Sequence, residues 1–395
     1  MSDHLISSLS APTQNALARL QISELSEIQK RCIPDAMQGK DILAQAPTGS
    51  GKTFAYLIPV VEQLIAEKPQ KHLPQALILV PTRELALQVA QAARSLLSTR
   101  EGFRTAVLVG GTDMNLQVHT FSRGADIVIG TPARILDHLR RHTFKPKLCR
   151  MLVLDEADEM LSMGFETQVR EAAESLPAHQ CMMFSATFPA ELMELSGQLL
   201  HDPLNIHTEQ ESLLKQRVTI YHAAVEESGK IDVLAEILHH FKTGRVLLFC
   251  NTRRTADFLC GILQERGESA DAIHSEMDAD ERRRIMKRFR QYEIRILCAT
   301  DVAARGLDIA DMNLVVSYDL PDTADLLIHR VGRTGRAGTE GIAILLVTPQ
   351  QQNREAEYMQ ADEMAAQPLS SIISFSKAAA RKGTMRHHPE RRKDR

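Results

Sequence analysis

The stretch DILAQAPTGSGKTFAYLIPVVEQLIAE, residues 41–67, joins a short apolar run, a glycine-rich turn and a longer apolar run in one segment. The first six letters predict a strand, and the letters from TFAYLIP onward predict a helix. In the turn, APTGSGKT, glycines allow backbone N–H groups to close around phosphates, and the N-terminus of the helix adds a partial positive charge. Strand, turn and helix in this order predict a P-loop that binds a nucleotide.

The residues of this turn have separate expected roles. Lys52 is expected to reach the β and γ phosphates, and the hydroxyl of Thr53 is expected to bind Mg²⁺. The turn starts with Ala46 where the strict pattern has Gly. A glycine-rich turn that only begins a helix is the alternative, and GKT at a strand-to-helix junction disfavours it. The predicted phosphate-loop residues are Ala46, Thr48, Gly49, Ser50, Gly51, Lys52 and Thr53.

Short β-rich runs alternate with helical patterns along most of the chain. One helix candidate, ELALQVAQAARSLL, places Leu85, Val89 and Ala92 on one face. The strand candidates are apolar on both faces, so they predict an α/β fold with parallel sheets covered by helices on both sides. They read DILAQA, ALILV, TAVLV, DIVIG, MLVLDE and CMMFSAT in the first half, and VTIYHAA, RVLLFC, SADAIH, RILCAT, LVVSYD and IAILLV in the second.

The length and the rhythm of the pattern indicate two domains. A chain of 395 residues, 44% of them apolar, can bury more than one core, because single cores stop growing at roughly 250 to 300 residues. The alternation pauses in the polar stretch HTEQESLLKQR and then restarts. We predict a domain at 1–206, a linker at 207–217, a second domain at 218–365 and a basic tail, disordered in the free protein, at 366–395.

Composition argues against several classes of protein. The six cysteines show no C-x-x-C spacing, so reduced, buried thiols are expected rather than zinc sites or disulfides. No apolar run reaches the roughly 18 to 20 residues of a membrane span. The N-terminus lacks a basic region followed by a long apolar region. We therefore expect no membrane association and a cytoplasmic location.

A second chemical motif lies in MLVLDEADEMLSMGF, residues 151–165, where an apolar run meets three carboxylates. Beside a P-loop, a buried strand that ends in an acid supplies the Walker B carboxylate, here Asp155, which holds Mg²⁺. Glu156 can orient and deprotonate the attacking water, whereas Asp158 is better placed to contact a neighbouring loop. The alternative is an acidic helix N-terminus, which the helix dipole favours by about 0.3 to 1 kcal/mol per carboxylate.

Eight short motifs, in order, resemble those of the DEAD-box ATP-dependent RNA helicases, from about Leu9 to about Val347. The resemblance implies two RecA-like domains joined by a flexible linker. It also implies that ATP and single-stranded RNA bind across the cleft between the domains, and that closure assembles the site. The motifs are PTRELALQ (81–88), the pair Gly110 and Gly111, TPAR (131–134), DEAD (155–158), SAT (185–187), LLFCNT (247–252), ATDVAARGLD (299–308) and HRVGRTGR (329–336).

The resemblance assigns catalytic and coupling roles. Arg333 and Arg336 match arginine fingers, which are worth about 10³ to 10⁵ in rate in related NTPases. Two surface arginines in a glycine-rich turn are the alternative. Gln29 matches the adenine-recognition residue, and Asp308 would bind ribose or the finger network. The implied coupling residues are Asp158, Ser185 and Thr187, with His329 linking them to the nucleotide site.

RNA contacts are also implied by the resemblance. Aromatic residues make up only 4% of the chain and Trp is absent, so few side chains can stack on bases. We therefore expect backbone and sugar contacts with single-stranded and short duplex RNA, with little sequence readout. The expected RNA-binding residues are Pro81, Thr82, Arg83, Gly111, Thr131 and Arg134 in the first domain and Arg253, His274, Thr300 and Gly306 in the second.

The chain departs from the family pattern at three places. In the adenine-recognition segment, QISELSEIQ, the family's aromatic, Pro and Thr are replaced by Ile22, Leu25 and Ser26. Discrimination among nucleotides is then expected to be looser, unless His4 stacks on the base. Ala133 stands where TPGR has Gly, and Ala279 where the second domain usually has Gln.

Positive charge is concentrated in the tail. Between Ser376 and Arg395, eight Lys or Arg and two acids give a net +6; because the whole chain carries −3, the rest carries −9. The tail is predicted to tether RNA non-specifically, and a solvated segment without a single partner is the alternative.

The sequence leaves one alternative to an unwinding enzyme open and disfavours two others. An unwinding enzyme and an ATP-dependent clamp on RNA use the same residues, so the sequence does not separate them. A DNA helicase is disfavoured by the combination of DEAD, SAT and Gln29. A GTPase is disfavoured because no N-K-x-D motif is present.

Overall fold

The computed structural model describes residues 2–46, 49–67, 73–98, 102–208, 218–242, 244–274, 276–304, 312–335, 340–361 and 364–373. The chain forms two compact units, Met1–Glu211 and Ser212–Arg395. Each unit is built around one seven-stranded sheet in which every described strand pair is parallel. The α/β class predicted from the sequence is confirmed.

The sheet of the first unit has the strand order β3-β4-β2-β5-β6-β1-β7. Its strands are β1 Ile42–Gln45, β2 Ala76–Leu79, β3 Thr105–Leu108, β4 Ile127–Gly130, β5 Met151–Asp155, β6 Gln180–Ser185 and β7 Leu204–His207. Its helices are α1 Ser2–Ser8, α2 Ala11–Arg19, α3 Glu27–Ala36, α4 Lys52–Glu67, α5 Arg83–Leu97, α6 Met114–Ser122, α7 Pro132–Arg140, α8 Ala157–Ser162, α9 Glu166–Glu174 and α10 Ala190–Leu199.

The sheet of the second unit has the strand order β10-β11-β9-β12-β13-β8-β14. Its strands are β8 Val218–Ala224, β9 Val246–Cys250, β10 Ala270–Ile273, β11 Ile296–Thr300, β12 Leu314–Ser317, β13 Gly341–Val347 and β14 Ala366–Pro368. Its helices are α11 Lys230–His240, α12 Arg253–Glu265, α13 Ala279–Arg290, α14 Asp301–Ala304, α15 Ala324–Val331 and α16 Gln352–Ala361, with short 3₁₀ turns at Glu227–Gly229, Pro349–Gln351 and Leu369–Ser371.

Both sheets are covered on their two faces. In β1, Ile42 and Ala44 join one apolar cluster while Leu43 joins another. In β9, Leu248 and Leu247 are divided between two clusters in the same way. Successive side chains of a strand point to opposite faces, so this division means that helices bury each sheet from both sides, as the doubly apolar strand candidates predicted.

All twelve strand candidates form strands, and the sequence missed one edge strand in each sheet. β7 has two exposed residues among its four, and β14 is a three-residue strand ending in Pro368. Short edge strands with little apolar content leave a weak pattern. β14 also corrects the predicted start of the tail at residue 366, because Leu369 and Ile373 are buried against the second unit.

Three further facts complete the fold. His222 in β8 holds α16 through Nδ1, which lies 2.8 Å from Oε1 of Glu355. This hydrogen bond raises the pKa of His222. All six cysteines are free and buried, as expected. Within the described ranges, none of the helices has both the length and the apolar character needed to cross a bilayer.

Candidate functional site

The motifs of the first unit gather at one edge of its sheet. β5, β6 and β1 are neighbours, and the phosphate loop, the DEAD residues and the SAT residues follow their carboxyl ends. Parallel strands deliver all these segments to the same edge, which is where α/β sheets bind ligands. The strand order therefore brings together residues that are more than a hundred positions apart in sequence.

The phosphate loop has the backbone that its glycines predict. Gly49 and Gly51 have φ angles of 85° and 96°, and a Cβ at Gly51 would lie 2.5 Å from Nε2 of Gln29. Only glycine fits there. Lys52 begins α4, is 6% exposed and donates from Nζ to the carbonyl of Ala46 at 2.7 Å. Thr48 lies outside the described residues.

Gln29 contacts the phosphate loop directly. Its Nε2 donates to the carbonyl of Gly51 at 2.9 Å, and its Oε1 accepts from the backbone N–H of Ser26, also at 2.9 Å. Ser26 is the N-cap of α3, so the two residues form a capping box. The start of α3 is thus fixed against the loop by one buried amide.

Asp155 is buried at the end of β5 and is held by two donors. Its Oδ2 accepts from the hydroxyl of Tyr56 at 2.8 Å, and its Oδ1 accepts from the backbone N–H of Glu156 at 3.0 Å. Burial raises the pKa of the Asp155 carboxyl, and the nearby charge of Lys52 opposes that rise. The sequence reasoning missed Tyr56, although it lies one helical turn after Thr53 in α4.

Tyr56 lies beside the two candidate Mg²⁺ ligands. Its hydroxyl bonds to Asp155, and Thr53 lies one helical turn before it in α4. Among the described residues, no three His, Cys, Asp or Glu side chains converge into a closed metal cage. Mg²⁺ is usually held by one or two carboxylates together with substrate phosphates and water. The carboxylate of Asp155 and the hydroxyl of Thr53 are hard oxygen donors that fit this ion.

Glu156 has a strained backbone. Its φ and ψ are 53° and 54°, in the left-handed region, immediately before α8. Non-glycine residues adopt this conformation at a cost of roughly 1 to 3 kcal/mol, and such residues cluster at functional sites. The turn lets the chain leave β5 and enter α8 directly after Glu156.

Asp158 joins the end of β5 to the end of β6. Its Oδ2 accepts from both the backbone N–H and the hydroxyl of Thr187, each at 2.9 Å. Its own backbone N–H donates to Oγ of Ser185 at 3.2 Å. Asp158 is 8% exposed and Ser185 is fully buried. The contact that the resemblance implied between these three residues is present.

Three of the remaining four strands of this sheet, β2, β3 and β4, lead to the predicted RNA-binding residues of the first unit. Pro81, Thr82 and Arg83 follow β2, Gly111 follows β3, and Thr131 follows β4. These strands are neighbours. One edge of the sheet is therefore divided between candidate nucleotide-binding residues and candidate RNA-binding residues.

Local contacts fix the candidate RNA residues. The Thr82 hydroxyl caps α5 by accepting from the backbone N–H of Leu85 at 3.2 Å. Gly111 has a φ of 71°, and a Cβ there would lie 3.2 Å from Nη1 of Arg83. The arginine therefore packs closely over this turn.

Arg134 is oriented by residues that sequence reasoning missed. Its Nη1 donates to the carbonyl of Thr112 at 2.9 Å and to Oε1 of Gln117 at 3.0 Å. Gln117 is also 3.1 Å from Nε2 of His138, which is completely buried. Burial lowers the pKa of His138. The spacing of Arg134 and His138, one turn apart in α7, was the available signal.

Three candidate RNA residues of the second unit also share an edge. Arg253, His274 and Thr300 lie at the carboxyl ends of β9, β10 and β11, which are neighbours. Arg253 forms an ion pair with Glu276. His274 places Nε2 3.1 Å from Oδ1 of Asp257. Gly306, Asp308 and Arg336 lie outside the described residues.

The helix α15 carries His329 and leads to Arg333, and it also carries Arg330, which the sequence analysis did not single out. Arg333 is 5% exposed and Arg330 is fully buried. Arg330 donates from Nε and Nη2 to Asp301 at 2.8 and 2.7 Å, from Nη2 to Asn251 at 2.7 Å, and from Nη1 to the carbonyl of Asp319 at 2.6 Å. Its guanidinium therefore ties together the ends of β9, β11 and β12.

Comparison with known proteins gives close matches over most of the chain. An ATP-dependent RNA helicase, CshA of Limosilactobacillus reuteri, is 38% identical over 342 residues, 86% of this chain and 68% of that protein. Dbp5 of S. cerevisiae, solved with RNA and ADP BeF₃, is 28% identical with a TM-score of 0.83 over 93% of this chain and 95% of that one. A DEAD box protein of Methanococcus jannaschii is 34% identical with a TM-score of 0.54 over 92% and 97%.

Fold and site together define a class. A phosphate loop and a buried Asp155 followed by the half-buried Glu156, on one of two RecA-like parallel sheets, describe a P-loop enzyme that hydrolyses ATP. Residues 26–195 match the DEAD/DEAH box helicase model, and residues 229–338 match the helicase conserved C-terminal domain. The chain belongs to the DEAD-box family of ATP-dependent RNA helicases.

Proposed function

We propose that the chain uses RNA-stimulated ATP hydrolysis to unwind short RNA duplexes locally and to remodel RNA–protein complexes. The observation that carries this proposal is the division of one sheet edge in the first unit. Candidate nucleotide-binding residues follow β5, β6 and β1, and candidate RNA-binding residues follow β3, β4 and β2. Two ligands bound along a single rigid edge can affect each other through the strand ends that lie between them.

The proposed hydrolysis assigns one task to each side chain. Lys52, which donates to Ala46 in this structure, turns to the phosphates of bound ATP. Glu156 takes the proton of the attacking water. Asp155 and Thr53 would hold Mg²⁺, which would neutralise developing charge on the phosphates. Arg333 and Arg336 stabilise the transition state when the domains close, and Asp308 binds the ribose.

Coupling is proposed to run through Asp158. Its carboxylate bonds to Thr187 and its backbone to Ser185, and it lies two residues from the proposed base, Glu156. A change in the position of the DEAD segment on hydrolysis therefore moves the end of β6 as well. His329 is proposed to relay this change to the nucleotide.

RNA binding is proposed to be largely independent of sequence. The candidate contacts are hydroxyl, backbone and arginine groups, which suit phosphate and sugar better than base edges. Affinity should therefore fall as salt rises. The basic tail is proposed to add a non-specific tether, and deleting residues 376–395 should then lower both RNA affinity and its salt dependence. An unchanged salt slope would contradict the tether.

Domain limits and location complete the proposal. We assign domains to 1–206 and 218–373, the second extended past residue 365 to include β14 and the buried Leu369 and Ile373, with 207–217 as the linker, and we place the protein in the cytoplasm. The two units are each compact. The first unit carries every phosphate-side residue except the arginines, so neither domain alone should hydrolyse ATP at the full rate.

The decisive experiment is the steady-state ATPase rate of the wild type and of Glu156→Gln, measured without nucleic acid, with single-stranded RNA and with DNA of matched sequence. RNA alone should raise the wild-type rate, and the variant should stay flat under all three conditions. An equal response to DNA, or a rate that ignores nucleic acid, would leave the ATPase assignment intact and refute RNA as the activator. Arg336→Ala should retain ATP binding and lose the stimulation.

A further inference from the structure

The helix α13, ADERRRIMKRFR, is strongly basic in a chain whose body is acidic. It has six Arg or Lys against two acids, a net +4 in twelve residues, while the chain without its tail carries −9. Ile285, Met286 and Phe289 are buried, so the apolar residues of the helix face the core. The opposite side, which we call the basic face, comprises Arg283, Arg284, Lys287, Arg288 and Arg290, all of them exposed.

Two members of the basic face have no ion-pair partner among the residues that the structure describes. Arg283 pairs with Asp280, and Arg288 pairs with Asp271 at 2.7 Å. Within the described part of the chain, neither Arg284 nor Lys287 has an acidic side chain within 4.0 Å. They lie three positions apart, at the centre of the exposed side, so their charges point in similar directions.

The stability of the helix does not account for this arrangement. Cations near a helix C-terminus are favoured by the dipole, which explains Lys287, Arg288 and Arg290. That effect is confined to the last turn, so it does not account for Arg283 and Arg284 in the second turn of the helix. Like charges three or four positions apart repel each other, as Arg284 and Lys287 do. A bound anion would relieve this repulsion.

The position of the helix points to the identity of the anion. α13 connects β10 to β11, so it starts at the carboxyl edge where His274 and Thr300 lie and runs back along the edge strand β10. Two contacts fix this course. Arg282, near its start, donates to the carbonyl of Ala303 just after β11 at 3.2 Å, and Arg288, near its end, pairs with Asp271 in β10.

We propose that the basic face of α13 binds the sugar–phosphate backbone of the duplex that flanks the RNA segment at the carboxyl edge of the second unit. A helix of this length spans about 18 Å. RNA that continues past His274 and Thr300 meets a row of cations at the spacing of one helical turn. This inference rests on the proposed RNA-binding function and extends it to duplex capture beside the site.

The test compares two RNAs in the full-length protein. One is a short single strand, and the other is the same strand extended by a duplex. The test variant is Arg284→Glu with Lys287→Glu, both exposed. The control is Lys145→Glu with Lys147→Glu, an equal change of charge at exposed positions before the amino end of β5 in the first unit.

In the wild type and the control, the duplex extension should raise affinity, and this gain should weaken with salt. In the test variant the gain should disappear. The neutral pair Arg284→Gln and Lys287→Gln should reduce the slope of log affinity against log salt by roughly 1.4 to 1.8, as expected for two lost phosphate contacts. With a slope difference of this size, the affinities of wild type and variant diverge by about tenfold when the salt concentration changes fourfold.

Two results would overturn the proposal. One is a test variant that keeps the full duplex gain and the wild-type salt slope; the basic face would then serve another partner, such as an acidic protein. The other is an equal loss in the control. Stimulation of ATPase by the short single strand separates this failure from failure of the proposed function, because it should survive in both charge variants.

Discussion

Replacing Arg330 by Met should destabilise the second unit more than any exposed arginine substitution can. The side chain is completely buried and its guanidinium makes four hydrogen bonds, two of them to the carboxylate of Asp301. It also stacks on Phe249, with 5.1 Å between the guanidinium carbon and the ring centroid. Methionine keeps an unbranched apolar stem and a similar volume, so the substitution mainly removes the charge and its hydrogen bonds.

The expected loss follows from what the arginine leaves behind. Asp301 is 16% exposed, and removing one partner of a buried ion pair costs about 3 to 5 kcal/mol, because the other charge stays desolvated. Asn251 and the carbonyl of Asp319 each lose a donor as well. We expect a decrease in the unfolding free energy of the second unit of about 3 to 5 kcal/mol, or two to nearly four powers of ten in its unfolding equilibrium.

The chain offers a convenient signal for this measurement. It has no Trp and five Tyr, and only Tyr56 lies in the first unit. Urea unfolding followed by tyrosine fluorescence therefore reports mainly on the second unit. Arg266→Met is the matched control, because Arg266 lies in the same unit, is 43% exposed and is 3.7 Å from Asp232. An exposed pair of this kind contributes below about 1 kcal/mol.

A double substitution tests the cause of the loss. Asp301→Asn in the Arg330→Met background removes the unpaired charge and should recover at least about 1 kcal/mol. If Arg330→Met unfolds within about 1 kcal/mol of the wild type, or if the double variant recovers nothing, the argument from a buried, uncompensated carboxylate is refuted.

Three further substitutions test individual hydrogen bonds. Tyr56→Phe should lower the unfolding free energy of the first unit by about 1.5 to 3 kcal/mol in urea denaturation and should reduce kcat/KM in an ATPase assay. Tyr358→Phe is the control, and it should leave ATP turnover unchanged. Thr187→Val should retain RNA-stimulated ATPase activity at least in part while strand separation falls about tenfold or more, and equal losses of both would contradict a coupling role. The raised pKa of His222 means that its stabilising bond to Glu355 is complete at pH below the unfolded pKa and is lost as pH rises through the folded pKa. His222→Gln should therefore flatten the decline of stability with rising pH, an effect of less than about 1 kcal/mol in denaturation curves.

The strands were predictable from sequence because burial on both faces leaves an unbroken apolar run. β5, MLVLD, is buried at every position, and the shortness of this apolar run, with charged residues directly after it, favours a strand over a buried helix. β14, AQP, has no buried residue of its own. It exists because it pairs with β8, and pairing with a distant strand leaves no local signal in the sequence.

The site residues that the sequence predicted also differ in kind from those that it missed. Lys52 and Asp155 were predicted because a phosphate and a metal need particular chemical groups at particular strand ends. Gln117 and Tyr56 were missed because each acts through another side chain, and such partners are decided by packing in three dimensions. The role of Arg330 was predictable in part. Leu327, Arg330 and Val331 share one helix face, and a cation on a buried face requires buried acceptors.

The contrast between Arg330 and the basic face of α13 shows how burial and partners distinguish a structural cation from a binding one. Arg330 has no exposed surface and makes four hydrogen bonds, so it can accept no ligand without losing folding energy. Arg284 and Lys287 are exposed, and the described residues supply them with no ion pair. Their substitution should change RNA affinity and leave the unfolding transition in place, whereas substitution of Arg330 should shift that transition first. Measuring both properties in both variants separates charge that holds the second unit together from charge that is available to RNA.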